Sequence, residues 1–78
     1  MTEQTPDEIM DLRGVPCPVN AARAIMQLAL MSEGEVLEIL IDDGEPIENV
    51  PASVESANYQ ILLQEQQSGG YWLLRIAA

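Results

Sequence analysis

The sequence predicts a two-layer α/β sandwich with the element order βαβαββ, in which two helices lie on one face of a four-stranded mixed sheet. This prediction rests on four short aliphatic stretches, two stretches with helix signals between them, and a Ser-Gly-Gly turn before the last stretch. A chain of 78 residues forms a single domain, because roughly 60% of the unfolded surface is buried around one core at this size.

The N-terminal part of the chain predicts a tail, a strand and a loop. Residues 1–8 are polar and acidic, and we expect a disordered tail there, followed by a single domain over residues 9–78. Residues 9–12 fit a short strand. Residues 13–18 are rich in Gly and Pro and predict a turn, which contains the only cysteine of the chain, Cys17.

Residues 19–31 have helical periodicity. Apolar residues recur along one stripe that we expect to face the core: Val19, Ala22, Ile25, Met26, Ala29 and Leu30. Asn20, Arg23 and Gln27 fall on the opposite face. Pro18 suits the first helical position, because its missing N–H would have no partner there. Gly34 is the expected left-handed stop at the far end.

Residues 36–41 form a nearly continuous aliphatic run, which predicts a strand buried on most sides. The strand ends in a turn at Asp42 and Asp43. We expect these carboxylates to be solvated rather than to form a metal or acid/base pair, because adjacent residues at a strand end point in different directions.

The C-terminal part of the chain predicts a second, shorter helix and a hairpin. The helix covers residues 49–57, with Pro51 near its start and Asn58 as a left-handed cap. Residues 61–66 and 71–76 form two antiparallel strands joined at residues 68–70. The first strand, helix and strand are expected to form a right-handed parallel crossover.

Composition excludes several classes of function. The chain has one cysteine and no histidine, which excludes Cys-His and Ser-His catalysis, an internal disulfide and a multi-cysteine metal site. We therefore expect no metal and no cofactor. The net charge of −10 would repel a phosphate backbone, so we expect no direct binding of nucleic acid. The acidity either keeps a small protein soluble or helps it dock on basic protein partners.

The hydropathy pattern predicts a cytoplasmic protein. No apolar run reaches the roughly 20 residues of a membrane span, and the N-terminus lacks the basic and apolar segments of a signal peptide. We expect a cytoplasmic monomer without a membrane span.

Cys17 is predicted to lie at the N-cap of the first helix, directly before Pro18. Unpaired N–H groups and the positive end of the helix dipole favour an anionic sulfur there, and the thiolate is the reactive form of cysteine. Arg13 is expected to add positive charge. The alternative is a buried, inert thiol, which is the usual state of a free cysteine.

Residues 11–18, Asp-Leu-Arg-Gly-Val-Pro-Cys-Pro, resemble the motif Asp-x-Arg/Gln-Gly-Leu-x-Cys-Pro-x-Pro of the TusA family of sulfur carriers, also called the SirA-like family. The resemblance extends over residues 10–76 and includes Gly34, the acidic pair at 42 and 43, and residues 49–51, where the family typically has Asp-Ile-Pro. Asn20 stands where the family has its second proline. We expect Asn20 in the first helical turn, where a proline would remove no hydrogen bond.

The resemblance implies a TusA-like domain that acts as a sulfurtransferase-type persulfide carrier. Cys17 would accept sulfur from a cysteine desulfurase or a rhodanese-like donor and pass it to an acceptor protein. The residues that would support this site are Arg13, Gly14, Pro16, Pro18 and Asn20. The pathway stays open among tRNA thiolation, sulfur oxidation, molybdenum-cofactor maturation, selenium metabolism and thiosulfate use.

Two alternatives to sulfur transfer remain at this point. The first is a non-catalytic interaction or regulatory module of the same fold, which binds a partner protein through its acidic surface. The second is a redox sensor based on a sulfenic or mixed-disulfide state, although the chain has no second cysteine to resolve that state.

Overall fold

The computed structural model describes residues 5–78. Its elements, in chain order, are β1 (Glu8–Asp11), α1 (Val19–Leu30), β2 (Val36–Ile41), α2 (Glu45–Ser56), β3 (Gln60–Gln66) and β4 (Trp72–Ala77). The strands form one sheet in the order β1-β2-β4-β3, in which β1 and β2 are parallel and the other pairs are antiparallel. The predicted order βαβαββ and the four-stranded mixed sheet are confirmed. No helix within residues 5–78 is long and apolar enough to cross a membrane.

The core lies between the sheet and both helices. β2 is a central strand, and its alternate residues Leu37, Ile39 and Ile41 are fully buried on one face. Leu28 of α1 and Val50 of α2 belong to the same buried cluster, so both helices cover that face. Each large aliphatic side chain buried in this way contributes about 1.5–3 kcal/mol to stability.

The ordered chain begins earlier than predicted. The Asp7 N–H donates to the Val36 carbonyl at 2.7 Å, and the Val36 N–H donates to the Asp7 carboxylate at 2.8 Å. Glu8 is already the first residue of β1. Residues 7 and 8 therefore belong to the domain and not to a tail. Residues 1–4 of the predicted tail lie outside the described part of the chain.

The inward face of α1 is not the predicted stripe. Three large apolar residues of that stripe are exposed: Val19 by 47%, Met26 by 67% and Leu30 by 82%. The buried residues of the helix are Asn20, Ala21, Ala24 and Leu28. Apolar residues occur on both sides of α1, so periodicity alone cannot decide which side faces the sheet. The side that carries Ala21, Ala24 and Leu28 packs inward, and Val19, Met26 and Leu30 stay outside.

α1 also ends without the predicted glycine cap. Its last residue is Leu30, and Met31 is already extended. Gly34 has a φ of 95°, but it lies in a separate turn, which is closed by the Glu35 N–H donating to the Ser32 carbonyl at 3.0 Å. Gly34 therefore shapes the entry into β2 and not the end of the helix.

α2 begins at Glu45 rather than at residue 49, so the predicted start is wrong. The signal for the start of the helix is Pro46 in the first turn. Glu45 and Glu48 lie in the same turn, where the positive end of the helix dipole stabilises their carboxylates. Pro51, which was predicted near the start, lies inside the helix.

The end of α2 agrees with the prediction for Asn58. This residue is left-handed, with a φ of 74°. Its N–H donates to the Glu55 carbonyl at 2.9 Å, and the Tyr59 N–H donates to the Val54 carbonyl at 3.2 Å. This pair of bonds is a Schellman motif, which satisfies two carbonyls at the end of the helix.

Candidate functional site

Cys17 lies in the loop between β1 and α1 and is partly exposed. The N-cap of α1 is Pro18 rather than Cys17, so the predicted cap position is wrong by one residue. The Cys17–Pro18 peptide bond is cis. The Asn20 N–H donates to the Pro16 carbonyl and the Ala22 N–H to the Pro18 carbonyl, both at 3.1 Å. The Ala22 bond is the first bond of the helix itself, and the Asn20 N–H is bound by a loop carbonyl, so neither of these two donors binds the sulfur.

Asn49 supplies the polar contact of the sulfur. Its side-chain Nδ2 lies 3.9 Å from Sγ of Cys17. Asn49 is exposed on α2, and the next residue, Val50, is fully buried and holds the backbone of the helix at this point. From the sequence, Asn49 is expected as a helix start and, by resemblance, at the first position of the family's Asp-Ile-Pro segment. Its contact with Cys17 depends on how α2 packs beside the loop, and no local pattern signals that packing.

Arg13 is engaged by residues other than Cys17. Its Nε and Nη2 donate to the two carboxylate oxygens of Asp11 at 2.9 and 2.8 Å, and its backbone N–H donates to the same carboxylate at 3.1 Å. The guanidinium lies 4.4 Å from the centre of the Tyr71 ring, within the range of a cation–π interaction. Within residues 5–78, no hydrogen bond or ion pair joins Arg13 to Cys17.

The Tyr71 ring is also in close contact with the hairpin turn. A Cβ placed on Gly69 would lie 3.1 Å from the ring, so the ring would have to shift by a few tenths of an ångström to admit a larger residue. The ring and Arg13 border a surface cavity of about 490 Å³, whose lining residues are Arg13, Asp42, Asp43, Gly69, Gly70 and Tyr71. This cavity lies where the hairpin meets the loop that carries Cys17.

Asp42 is half-buried and Asp43 is exposed, as expected of a turn, and both carboxylates also accept specific hydrogen bonds. The Gly14 N–H donates to Oδ2 of Asp42 at 2.7 Å, and the Trp72 indole N–H donates to Oδ1 of Asp43 at 2.9 Å. Gly14 has a φ of 82°, a conformation that favours glycine. The two carboxylates thus fix the cysteine loop and the start of β4. Within residues 5–78, no cluster of three or more acidic or cysteine side chains is placed to hold a metal ion.

Asn20 is fully buried. Its Oδ1 accepts a hydrogen bond from the Ala21 N–H at 2.7 Å, while its Nδ2 has no partner among the described residues. Since the Asn20 N–H donates to Pro16, the expectation that a proline would remove no hydrogen bond here is wrong. The loop before the helix supplies an acceptor that the sequence did not predict.

Comparison with known families identifies the family to which the chain belongs. The family model described as Sulfurtransferase TusA matches residues 8–78. The chain belongs to the TusA family. Among TusA-like proteins, a candidate sulfur carrier protein of Archaeoglobus fulgidus is 31% identical over 70 residues, which cover 90% of this chain and 80% of that protein. YedF of Escherichia coli K12, also named as a candidate sulfur carrier, is 32% identical over 69 residues, or 88% of each chain.

The fold agrees with the same family. The crystal structure of a SirA-like protein from Desulfitobacterium hafniense superposes with a TM-score of 0.80 at 26% identity, and the match covers 91% of this chain and 96% of that one. In this TusA-family chain, the cysteine of the family motif therefore lies at the junction between β1 and α1, on a domain whose topology is that of a solved relative.

The ion pair between Arg13 and Asp11 predicts how one contribution to the stability of the fold depends on pH. Hydrogen bonds from the Arg13 side chain, and then from its backbone N–H, lower the pKa of Asp11 from 3.8 to about 2. A carboxyl whose pKa falls on folding stabilises the folded state above its unfolded pKa. This contribution is lost as the pH drops from 3.8 to about 2.

We expect Arg13→Ala to move the Asp11 midpoint back toward 3.8, and Arg23→Ala to leave it in place. The measurement is a pH titration of the side-chain carboxyl carbon by NMR on the three proteins. A wild-type midpoint near 3.8 would contradict the ion pair.

Proposed function

We propose that this TusA-family protein is a cytoplasmic sulfur carrier that accepts a persulfide on Cys17 from a donor protein and passes it to an acceptor protein. The observation that carries the proposal is the position of the only cysteine. It lies within the family motif, partly exposed, in the loop before α1. A partly exposed thiol in an anchored loop can meet the cysteine of another protein, whereas a core thiol cannot.

The transfer resembles thiol–disulfide exchange. The Cys17 thiolate attacks the outer sulfur of the donor's persulfide. A new S–S bond forms on Cys17, the old S–S bond breaks, and the donor cysteine leaves as a thiolate. An acceptor thiolate then attacks the outer sulfur on Cys17 in the same way. Each step conserves sulfur atoms, charge and electrons, so the protein needs neither a cofactor nor an external oxidant.

The outer face of α1 suits the docking of the donor. This outer face consists of Val19, Ala22, Met26, Ala29 and Leu30, which are all exposed. The helix contains no Asp or Glu, although the chain has 13 acidic residues. The charged residue on this side of the helix is Arg23, which is exposed between Val19 and Met26. A largely apolar patch without acidic residues on so acidic a protein is typical of an interaction surface. The patch begins two residues after Cys17, so a donor bound there would have the sulfur within its interface.

The charge around this face indicates what kind of donor fits. Glu45 and Glu48 are exposed in the first turn of α2, and α2 packs beside α1. We therefore propose a donor whose docking surface is mainly apolar and has basic residues on the side that meets α2. Opposite charges at the rim of an interface mainly accelerate association.

The test is to incubate the protein with a cysteine desulfurase and cysteine, and to measure its intact mass. A gain of one sulfur atom, localised to Cys17 by peptide mapping, is the expected result. Binding of the desulfurase without any gain of sulfur would instead indicate a non-catalytic interaction module.

A further inference from the structure

We propose that the sheet face opposite the two helices binds a second copy of this chain, so that the protein forms a weak dimer with two-fold symmetry. Both helices pack on one face of the sheet, and no helix or further strand within residues 5–78 covers the other face. The outer face of α1 lies on the opposite side of the molecule. The inference therefore does not rest on the proposed sulfur transfer.

The strand registers decide which residues lie on this open face. In β2 and β4 the fully buried residues, such as Ile39 and Leu74, face the helices, so the residues that alternate with them face the other way. Residues directly opposite each other on neighbouring strands share a face. In the strand order β1-β2-β4-β3, the open face therefore has two rows: Asp11, Leu40, Leu73 and Glu65 in the first, and Ile9, Glu38, Arg75 and Leu63 in the second.

The charges of the open face are largely neutralised, although the chain has a net charge of −10. Nε of Arg75 donates to Oε1 of Glu38 at 3.0 Å, and these side chains are only 30% and 13% exposed. At the edge of the face, Asp11 is paired with Arg13. Glu65 adds one exposed carboxylate at a corner. Two copies of an acidic chain can therefore meet here with little like-charge repulsion.

The pattern of the open face is self-complementary. A two-fold axis between two stacked sheets, parallel to the strands and midway between β2 and β4, places β2 of one copy opposite β4 of the other. Leucine then meets leucine in the first row. In the second row, each glutamate meets the arginine of the other copy, and Ile9 meets Leu63. The acidic residues of the first row meet only at the periphery. The twist of stacked sheets, about 30°, displaces the corners more than these central pairs.

The size of the open face predicts weak association. β2 and β4 have six residues each, so a sheet of four strands about 4.8 Å apart, with a rise of about 3.3 Å per residue, measures roughly 20 Å by 20 Å. A dimer would bury roughly 800–1,000 Å² in total, which is typical of transient complexes, and it is expected to form between about 10 µM and 1 mM protein. The monomer expected from the sequence is then the form of the dilute protein.

The experiment is sedimentation equilibrium of the full chain over this concentration range. A reductant is present, so that no disulfide joins Cys17 of two copies. We expect the average mass to rise from one chain toward two as the concentration increases. A mass of one chain at every concentration would show that the proposal is wrong, and that the open face is left to a different protein.

Two charge reversals test the two-fold arrangement. Arg75→Glu and Glu38→Arg are each expected to weaken self-association at least tenfold, because like charges then meet across the axis. An equimolar mixture of the two variants should dimerise again, since the two glutamates of one copy meet the two arginines of the other. Mixing cannot repair the ion pair within a chain, so this recovery reports contacts between copies.

The matched control is Arg23→Glu, the same reversal at an exposed position of α1, which should dimerise as wild type does. Leu73→Thr keeps a residue that favours strands but removes apolar area at the centre of the face, and should weaken the dimer several-fold. Thermal unfolding of each variant checks the fold. If Arg23→Glu weakens the dimer as much as Arg75→Glu, or if Leu73→Thr or mixing has no effect, the dimer uses another surface and the proposal is wrong.

Discussion

Cys17→Ser is expected to abolish sulfur acceptance and to leave the fold intact. Serine cannot form a persulfide, and the chain has no other cysteine to replace Cys17. The residue lies in a loop and does not belong to the buried core cluster, so the free energy of unfolding should change by no more than about 0.5 kcal/mol.

The measurement combines intact mass after incubation with a desulfurase and cysteine with thermal unfolding. A matched control moves the thiol: Ser68→Cys in the Cys17→Ser background places a cysteine in the exposed hairpin turn. We expect this displaced thiol to accept sulfur far more slowly than Cys17 does. Equal rates would show that any exposed thiol suffices, and sulfur acceptance by Cys17→Ser itself would refute the carrier proposal.

Met26→Glu is expected to reduce donor-dependent loading at least tenfold without a loss of stability. Met26 is 67% exposed in the middle of the outer face of α1, and Met and Glu have similar helix propensities. A carboxylate buried at the centre of an apolar interface commonly costs about 2 kcal/mol or more in binding. The measurement is the initial rate of sulfur transfer from the desulfurase at several carrier concentrations.

Two controls identify the cause of such a loss. Gln64→Glu adds the same charge at an exposed position of β3 and should transfer sulfur at the wild-type rate. Loading of Met26→Glu by polysulfide should also be normal, because this route needs no docking. If both glutamate variants lose activity equally, the effect comes from net charge, and the outer face of α1 is not the docking surface.

Local patterns predicted the topology of this chain correctly. The aliphatic run at residues 36–41 is β2 within the predicted bounds, and the Gly-Gly turn closes the predicted hairpin. Asn58 has the left-handed conformation expected of a cap. These features depend on neighbours in sequence, so the sequence carries enough information to predict them.

Features that depend on packing could not be predicted in this way. α1 has apolar residues on both sides, and only its contact with the sheet buries Leu28 and exposes Leu30. Two prolines lie in α2, and local sequence does not decide between them as the opening signal: Pro46 lies in the first turn, whereas Pro51 lies inside the helix. The contact between Asn49 and Cys17 joins residues that are 32 positions apart, so it exists only once α2 lies beside the loop.

The hydrogen bond from the Gly14 N–H to Asp42 bears on how quickly the protein can change partners. A loop that is already anchored loses little conformational freedom when another protein covers it, whereas each newly immobilised side chain costs about 0.5–1.5 kcal/mol. Here the loop is anchored at Gly14 by Asp42 and at Arg13 by Asp11. A small contact area then suffices for a productive encounter, and a small area also permits rapid dissociation. We therefore expect the residence time of each complex, rather than any reshaping of the loop, to limit turnover between donor and acceptor.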